Sequence, residues 1–393
     1  MLAATVRVTR DLDSAEEAVQ DAYVQALRTW GRDGVPDRPG AWLTTVARRT
    51  ALNLMRRRQT LESKLPLLVE AEDRQMPEPT GTDTIPDDRL RLIFTCCHPA
   101  LAPEAQVALT LRLICGVATP DIARAFLVSD ATMAARLTRA KKKIAVARIP
   151  YAVPSGAELP ARVDAVLTVV HLLYATGHTA PSGDELVRDD LCDRALDLTR
   201  LLRRLLPDDP EVTGLHALLL VHQARRGTRT DAQGRLLLLE DQDRSAWDVT
   251  LIAEADRLVV AALRSGPPGR FTLQAAIAAL HAQAPSYAAT DWPQILTLYD
   301  ELLRVWPTPV VALNRAVATA MVHGPERALA DVEALERDGR LDGYPYLPAT
   351  KADLLHRLGR DAEAVHAYRE ALVLTGNAAE QAFLTDRLRS AQA

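Results

Sequence analysis

The stretch Thr119-Pro120-Asp121-Ile122-Ala123-Arg124-Ala125-Phe126-Leu127-Val128-Ser129-Asp130-Ala131-Thr132-Met133-Ala134-Ala135-Arg136-Leu137-Thr138-Arg139-Ala140-Lys141-Lys142-Lys143-Ile144 holds two helices of unequal length and the turn between them. Thr119 supplies a cap residue, Pro120 fits a first helical position and Asp121 sets an acid in the first turn, so a short helix is predicted over 121–126. Ile122, Ala123 and Phe126 fall on its inward side. Leu127 and Val128 make the turn, and Ser129 is placed to cap a second helix over 130–145. Met133, Leu137, Ala140 and Ile144 form the apolar side of that helix, with Thr132, Arg136, Arg139 and Lys143 as a polar stripe beside it. Short helix, tight turn and basic second helix describe a helix-turn-helix. Residues 119–150 carry a net charge of +5, which attracts phosphate, and the guanidinium groups of Arg136 and Arg139 suit bidentate recognition of guanine. The plainer alternative is a helical hairpin whose Lys141-Lys142-Lys143 end is solvated and favoured by the helix dipole.

Around this stretch lies a chain of 393 residues with a formal net charge of −4, long enough for two or three domains. With 48% hydrophobic and 25% charged residues it can bury a core, and its 4% aromatic content suits helix packing better than sheet. An all-α fold is expected. No apolar run approaches the ~20 residues of a membrane span, and Met1-Leu2-Ala3-Ala4 lacks a cleavable signal pattern, so a cytoplasmic protein without a membrane partner is expected. The charge is divided: residues 1–150 carry +4 and residues 151–393 carry −8. Within the first part, 1–58 is +3 and 59–88 is −6. Such a division points to a polyanion partner for the first 150 residues alone.

Ser14-Ala15-Glu16-Glu17 reads as a capping box opening the first clear helix, with Val19, Ala22, Ala26 and Trp30 at helical spacing until Gly31 and Gly34. A second helix is predicted from Pro39 to about Arg58, with Leu43, Val46, Ala47, Thr50 and Leu54 inward. Trp42, Arg49, Asn53 and Arg56 share a narrow band on it at ~100° per residue. That band is either a platform for unpaired bases, where a ring stacks and cations hold phosphate, or an amphipathic face with a buried tryptophan. Glu16, Glu17, Gln20 and Asp21 make a polar face, suited to a basic partner or to water. Residues 59–88, rich in proline and acid, read as a linker in which Leu65, Leu67, Leu68 and Val69 could dock. Helices resume near Asp88 and again from Pro103 to Gly116.

Beyond Pro150 a series of helices is predicted over 160–177, 186–206, 211–226, 245–265, 271–284, 291–306, 309–323, 325–338, 347–358, 361–375 and 378–391. Ala316–Leu335 with Gly324 and Ala328, and Ala352–Leu374 with Gly359, Ala364, Tyr368 and Ala371, repeat at about 35 residues and resemble tetratricopeptide (TPR) repeats.

The order of motifs is more specific than any one of them. Asp13-Ser14-Ala15-Glu16-Glu17-Ala18-Val19-Gln20-Asp21-Ala22, Pro39-Gly40-Ala41-Trp42-Leu43 and Ala47-Arg48-Arg49-Thr50-Ala51-Leu52-Asn53 resemble region two of extracytoplasmic-function (ECF) sigma factors. Ala131–Lys141 resembles their region-four recognition helix, with Ala131 at the usual glycine. Arg91–Leu101 and Ile149-Pro150-Tyr151 resemble the subgroup with a C-terminal TPR-like extension. The resemblance implies four parts: a region-two domain over 1–58, an acidic linker over 59–88, a region-four domain over 89–148 and a TPR-like region over 150–393. It implies RNA polymerase core and promoter DNA as partners, a protein partner for the TPR-like array, no cofactor and no catalysis. Glu17, Gln20 and Asp21 match the core-binding helix. Trp42, Arg48, Arg49, Asn53 and Arg56 match the helix that reads the melted −10 element. Thr132, Arg136, Arg139, Lys141 and Lys143 would face the −35 element while the domain docks on the polymerase flap. The family usually has a further helix before the point matching Leu2, and here that helix is expected to be missing or shortened.

The alternative is a one-component helix-turn-helix regulator with a TPR-like sensor and no polymerase partner, and a third reading is an interaction scaffold with solvated basic faces. Cys96, Cys97 and Cys115, with His98, lack the spaced pairs of a zinc site and are expected to be core residues. His171, His178, His216 and His222 are expected to be core or surface histidines. No phosphate-loop, nucleophile-elbow or zinc-hydrolase motif is present.

Overall fold

The computed structural model describes residues 1–64, 88–126, 128–154 and 158–392. Among them are eighteen α-helices and no strand, so the chain is all-α. It divides into two compact units, residues 1–169 and 170–393, and the division falls inside α8 (Leu159–His178).

The first unit opens with α1 (Leu2–Thr9), a helix ahead of the first one read from the sequence. Next come α2 (Leu12–Asp33) and α3 (Pro39–Lys64). The start of α2 differs from the capping box read at Ser14. Asp11 is the cap, its carboxylate accepting from the Ser14 amide at 2.9 Å and from the Ser14 hydroxyl. A carboxylate is the stronger acceptor for free helix amides, and it also suits the positive end of the helix dipole. Ala15, Ala18, Ala22 and Ala26 line the buried side of α2, Ala47 and Ala51 are buried on α3, and the two helices pack on each other. α3 runs to Lys64, past the predicted end at Arg58; the rest of the linker, with Leu65, Leu67, Leu68 and Val69, lies outside the described residues.

α4 (Asp88–Cys96), α5 (Pro103–Leu113), α6 (Thr119–Ala125) and α7 (Asp130–Val146) follow. α6 begins two residues earlier than predicted, and Leu127 lies outside the described residues. Ile122, Ala123, Met133 and Leu137 are buried, so the helix-turn-helix is packed by the apolar pattern that foretold it. Tyr151 joins α1 to α4: its hydroxyl lies 2.7 Å from the Ala3 carbonyl and 2.6 Å from that of Asp88, and donates to one at a time. Thr95 Oγ1 donates to Arg91 O at 2.8 Å and lies 3.2 Å from Pro150 O, and Arg162 of α8 donates to Phe94 O.

The second unit is a sequential helix array. Its helices are α9 (Asp189–Leu205), α10 (Pro210–Ala224), α11 (Val249–Arg264), α12 (Arg270–Gln283), α13 (Trp292–Val305), α14 (Pro309–His323), α15 (Pro325–Asp338), α16 (Tyr346–Arg357), α17 (Asp361–Leu374) and α18 (Ala378–Ser390). Most pack on their neighbour in sequence, and α10 also packs closely on α12. Glu211 at the start of α10 caps α12 from outside, accepting from Phe271 N at 2.8 Å, Thr272 N at 3.1 Å and Thr272 Oγ1 at 2.6 Å. α14–α15 and α16–α17 are hairpins on one plan. Each turns at a glycine with positive φ, Gly324 or Gly359, and the repeating Ala316, Ala328, Ala352, Ala364, Tyr368 and Ala371 meet in one core. Asn377, fully buried, ties the last helix back to the segment after α8. Its Nδ2 donates to Ala180 O and Glu185 O at 3.1 and 3.0 Å, while its Oδ1 caps α18.

Candidate nucleic-acid interface

The second helix of the helix-turn-helix is shaped from its cap. Ser129 Oγ accepts from Thr132 N at 3.2 Å, fixing the first turn of α7. With Met133, Leu137, Ala140 and Ile144 buried, Thr132, Arg139, Lys142 and Lys143 are left exposed. Arg136 is half-buried, its guanidinium 5.7 Å from the centre of the Phe126 ring, which braces the side chain beside the exposed stripe.

Lys141, which the resemblance puts with the residues facing the −35 element, lies off that stripe. At about 100° per residue it sits roughly 140° around the helix from Arg136. Its ammonium pairs instead with Asp13, at 3.0 Å, and with Glu16, both on α2. Burial pulls the Lys141 pKa down, but the two carboxylates outweigh it and hold the pKa above the ordinary lysine value. Arg112 of α5 reaches the same Glu16 at 4.0 Å.

Further along α2, Glu17, Gln20 and Asp21 are all exposed. The same face continues into Val24 and Leu27, 43% and 83% exposed. Sequence reading missed this apolar half, because the outward side of α2 was followed only through its polar residues. The signal was present: Leu27 is out of register with Ala22 and Ala26. Acids beside bare aliphatic side chains make a surface suited to a protein partner.

On α3, Arg49, Asn53 and Arg56 are exposed and Trp42 is half-buried, its ring 5.4 Å from that of Trp30. Trp42 is thus partly packed, beside Trp30, while Arg49, Asn53 and Arg56 face solvent. Arg48 is half-buried, and its Nε is buried without a hydrogen-bond partner.

Cys96, Cys97 and Cys115 are buried core residues. Burial pushes the Cys97 thiol up to about 12, with Thr110 Oγ1 3.8 Å from its sulfur, and pushes Cys96 well above the usual thiol range, so neither is a thiolate at neutral pH. Among the described residues no three His, Cys, Asp or Glu side chains are placed to hold a metal ion, and no helix is long and apolar enough to cross a membrane.

Comparison with known families places names on the same segments. Sigma-70 region 2 matches residues 2–60 and sigma-70 region 4 matches residues 91–144. A family of unknown function (DUF6596) matches residues 162–263. An uncharacterized protein of Rhizobium meliloti (strain 1021), R00370, is 45% identical over 392 residues, covering 98% of this chain and 92% of that protein.

Proposed function

Because the chain belongs to the ECF-type sigma factors, with a helical C-terminal extension, we propose that it directs RNA polymerase core to particular promoters through three surfaces. The α2 face of Glu17, Gln20, Asp21, Val24 and Leu27 docks on the polymerase. On α3, Trp42, Arg48, Arg49, Asn53 and Arg56 hold unpaired −10 bases, which favours melting because only the open strand is bound. Thr132, Arg136, Arg139 and Lys143 of α7 read the −35 element, and Lys141, paired with Asp13 and Glu16, is left out of that set. The observation that carries this reading is the exposed basic stripe of α7 in the same unit as the exposed acidic and apolar face of α2. The chain supplies binding energy and no covalent step, acts in the cytoplasm, and its TPR-like extension serves regulation.

Run-off transcription with core enzyme and the chain's own upstream DNA tests it. Product is expected only when both are present. Arg136→Ala should lower discrimination between promoter and random DNA by about 1–3 kcal/mol, whereas Lys142→Ala should weaken all sequences alike. DNA binding without any polymerase-dependent product would favour the one-component regulator instead.

The Lys141 pairs add a second expectation. Glu16 holds both Lys141 and Arg112, so in the free chain region four is tied to the polymerase-binding helix. Glu16→Ala removes that shared partner, a partly buried pair worth on the order of 1–3 kcal/mol. Core-free binding to promoter DNA, measured by mobility shift, should rise several-fold, and unchanged binding would show that the tie does not restrain α7.

A further inference from the structure

The chain is poor in aromatic residues, with five Trp, eight Tyr and four Phe. Six of these seventeen rings, Tyr287, Trp292, Tyr299, Tyr346, Tyr368 and Phe383, line one cavity of about 710 Å³ in the second unit. They arrive from α13, α16, α17, α18 and the turn before α13, so the fold gathers rings that the sequence keeps far apart. Tyr368 and Phe383 belong to one hydrophobic cluster of this unit, and Trp292 and Tyr299 pack against another, so the cavity wall is anchored in the core on both sides.

The rings are held in place before anything binds. Trp292 meets Tyr287 edge-on at 5.5 Å and His281 edge-on at 5.1 Å, and Tyr346 donates to Glu380 Oε1 at 2.5 Å. The volume lies within the range of sites that bury drug-sized molecules, which are typically about 300–1,000 Å³ with a few polar groups among apolar walls.

Four charged side chains line the same cavity: Glu240, Asp353, Arg357 and Arg387. Asp353 and Arg387 satisfy each other in an ion pair. Glu240 is exposed. Arg357, at the end of α16 and close enough to act on Tyr287, has no side-chain hydrogen bond or ion pair among the described residues. The His281 ring adds a buried Nδ1 without a hydrogen-bond partner. Rings that stack, one uncommitted guanidinium and an unused imidazole nitrogen match an aromatic acid of more than one ring.

We propose that this cavity is a binding site for a planar aromatic small molecule carrying an anionic group, its rings among the Tyr and Trp side chains and its acid on Arg357. Such a ligand would give the extension a chemical input, distinct from the polymerase and promoter surfaces.

Two probes with one skeleton separate ring recognition from acid recognition: 8-anilinonaphthalene-1-sulfonate, and N-phenyl-1-naphthylamine, which lacks the sulfonate. Each is titrated into the full chain and followed by its own fluorescence and by quenching of Trp292, with Trp292→Phe identifying that signal. The sulfonate probe should saturate at one site per chain. Arg357→Met keeps the aliphatic stem of an exposed residue, and unchanged circular dichroism and melting temperature certify its fold. It should weaken the sulfonate probe about tenfold or more while leaving the neutral probe within about twofold. Absence of a saturable site, many equivalent sites per chain, or equal affinity of the sulfonate probe for wild type and Arg357→Met would overturn the proposal. No polymerase enters this measurement, so a negative result leaves the transcriptional reading untouched.

Discussion

Lowering the pH from 7 to 5 is expected to strip much of the stability of the second unit while leaving the first comparatively intact. Eight of the nine histidines lie in residues 170–393. Burial, aided by neighbouring arginines, pulls His171, His216 and His281 down to about 4, and His178 and His222 well below the ordinary value of 6.5. Their folded pKa values are depressed, so the unfolded chain binds protons first. The stabilisation is complete above pH 6.5, is lost as the pH falls from 6.5 towards 4, and levels off once the folded form also takes up protons. At pH 5 each of the three groups near 4 costs about 2 kcal/mol, or roughly 6 kcal/mol together, against a typical total of about 5–15 kcal/mol. Glu380, whose carboxyl burial pushes up, works in the opposite direction. Urea denaturation at pH 7, 6 and 5 checks this: the midpoint should fall steeply for the transition of the second unit. A midpoint independent of pH over that range would mean these imidazoles already reach water.

A single methyl group at Gly214 should also be severely destabilising. Here α10 crosses α12, and a Cβ on Gly214 would lie 2.6 Å from both Thr272 N and Thr272 Oγ1 and 2.7 Å from Thr272 Cα. These are mostly backbone atoms, and both nitrogen and hydroxyl are already engaged by Glu211. Alanine gains about 1 kcal/mol of helix propensity over glycine. The overpacking costs about 1–3 kcal/mol or more, and the upper end applies because relief requires separating the helices and stretching the Glu211 cap. Gly214→Ala is therefore expected to lose about 2 kcal/mol net in thermal or urea denaturation. Gly31 in α2 is the matched control, since a Cβ there meets nothing within 4 Å. Gly31→Ala should be neutral or stabilising by up to about 1 kcal/mol. Equal effects at the two sites would refute the close crossing.

The sequence was most readable where structure is made locally. Ser129 caps α7 as its position foretold, and the helices beyond Pro150 begin and end within a few residues of their predicted limits. Short-range competition was harder: Asp11 and Ser14 are both good caps, and the carboxylate won. Lys141 was grouped with DNA-facing residues by its neighbours in the motif, although its angle on the helix already set it apart. What remained illegible depends on groups distant in sequence. Nothing near Glu211 announces that it caps a helix sixty residues away. Nothing near Tyr287 announces Phe383. Val24 and Leu27 belong to a third kind, visible as exposed apolar side chains only once the buried alanine stripe of α2 is known.

The Asn377 stitch bears on how the second unit comes apart. In an open helical array each repeat leans only on its neighbours, so the terminal one can fray and melting proceeds in stages from the ends. Here the last helix is hydrogen-bonded through a fully buried amide to the opening segment of the same unit. Detaching α18 leaves the carbonyls of Ala180 and Glu185 without that donor, so loss at one end is felt at once at the other. Such a domain melts as one cooperative block, and a cut that trims only its final helix removes a structural keystone.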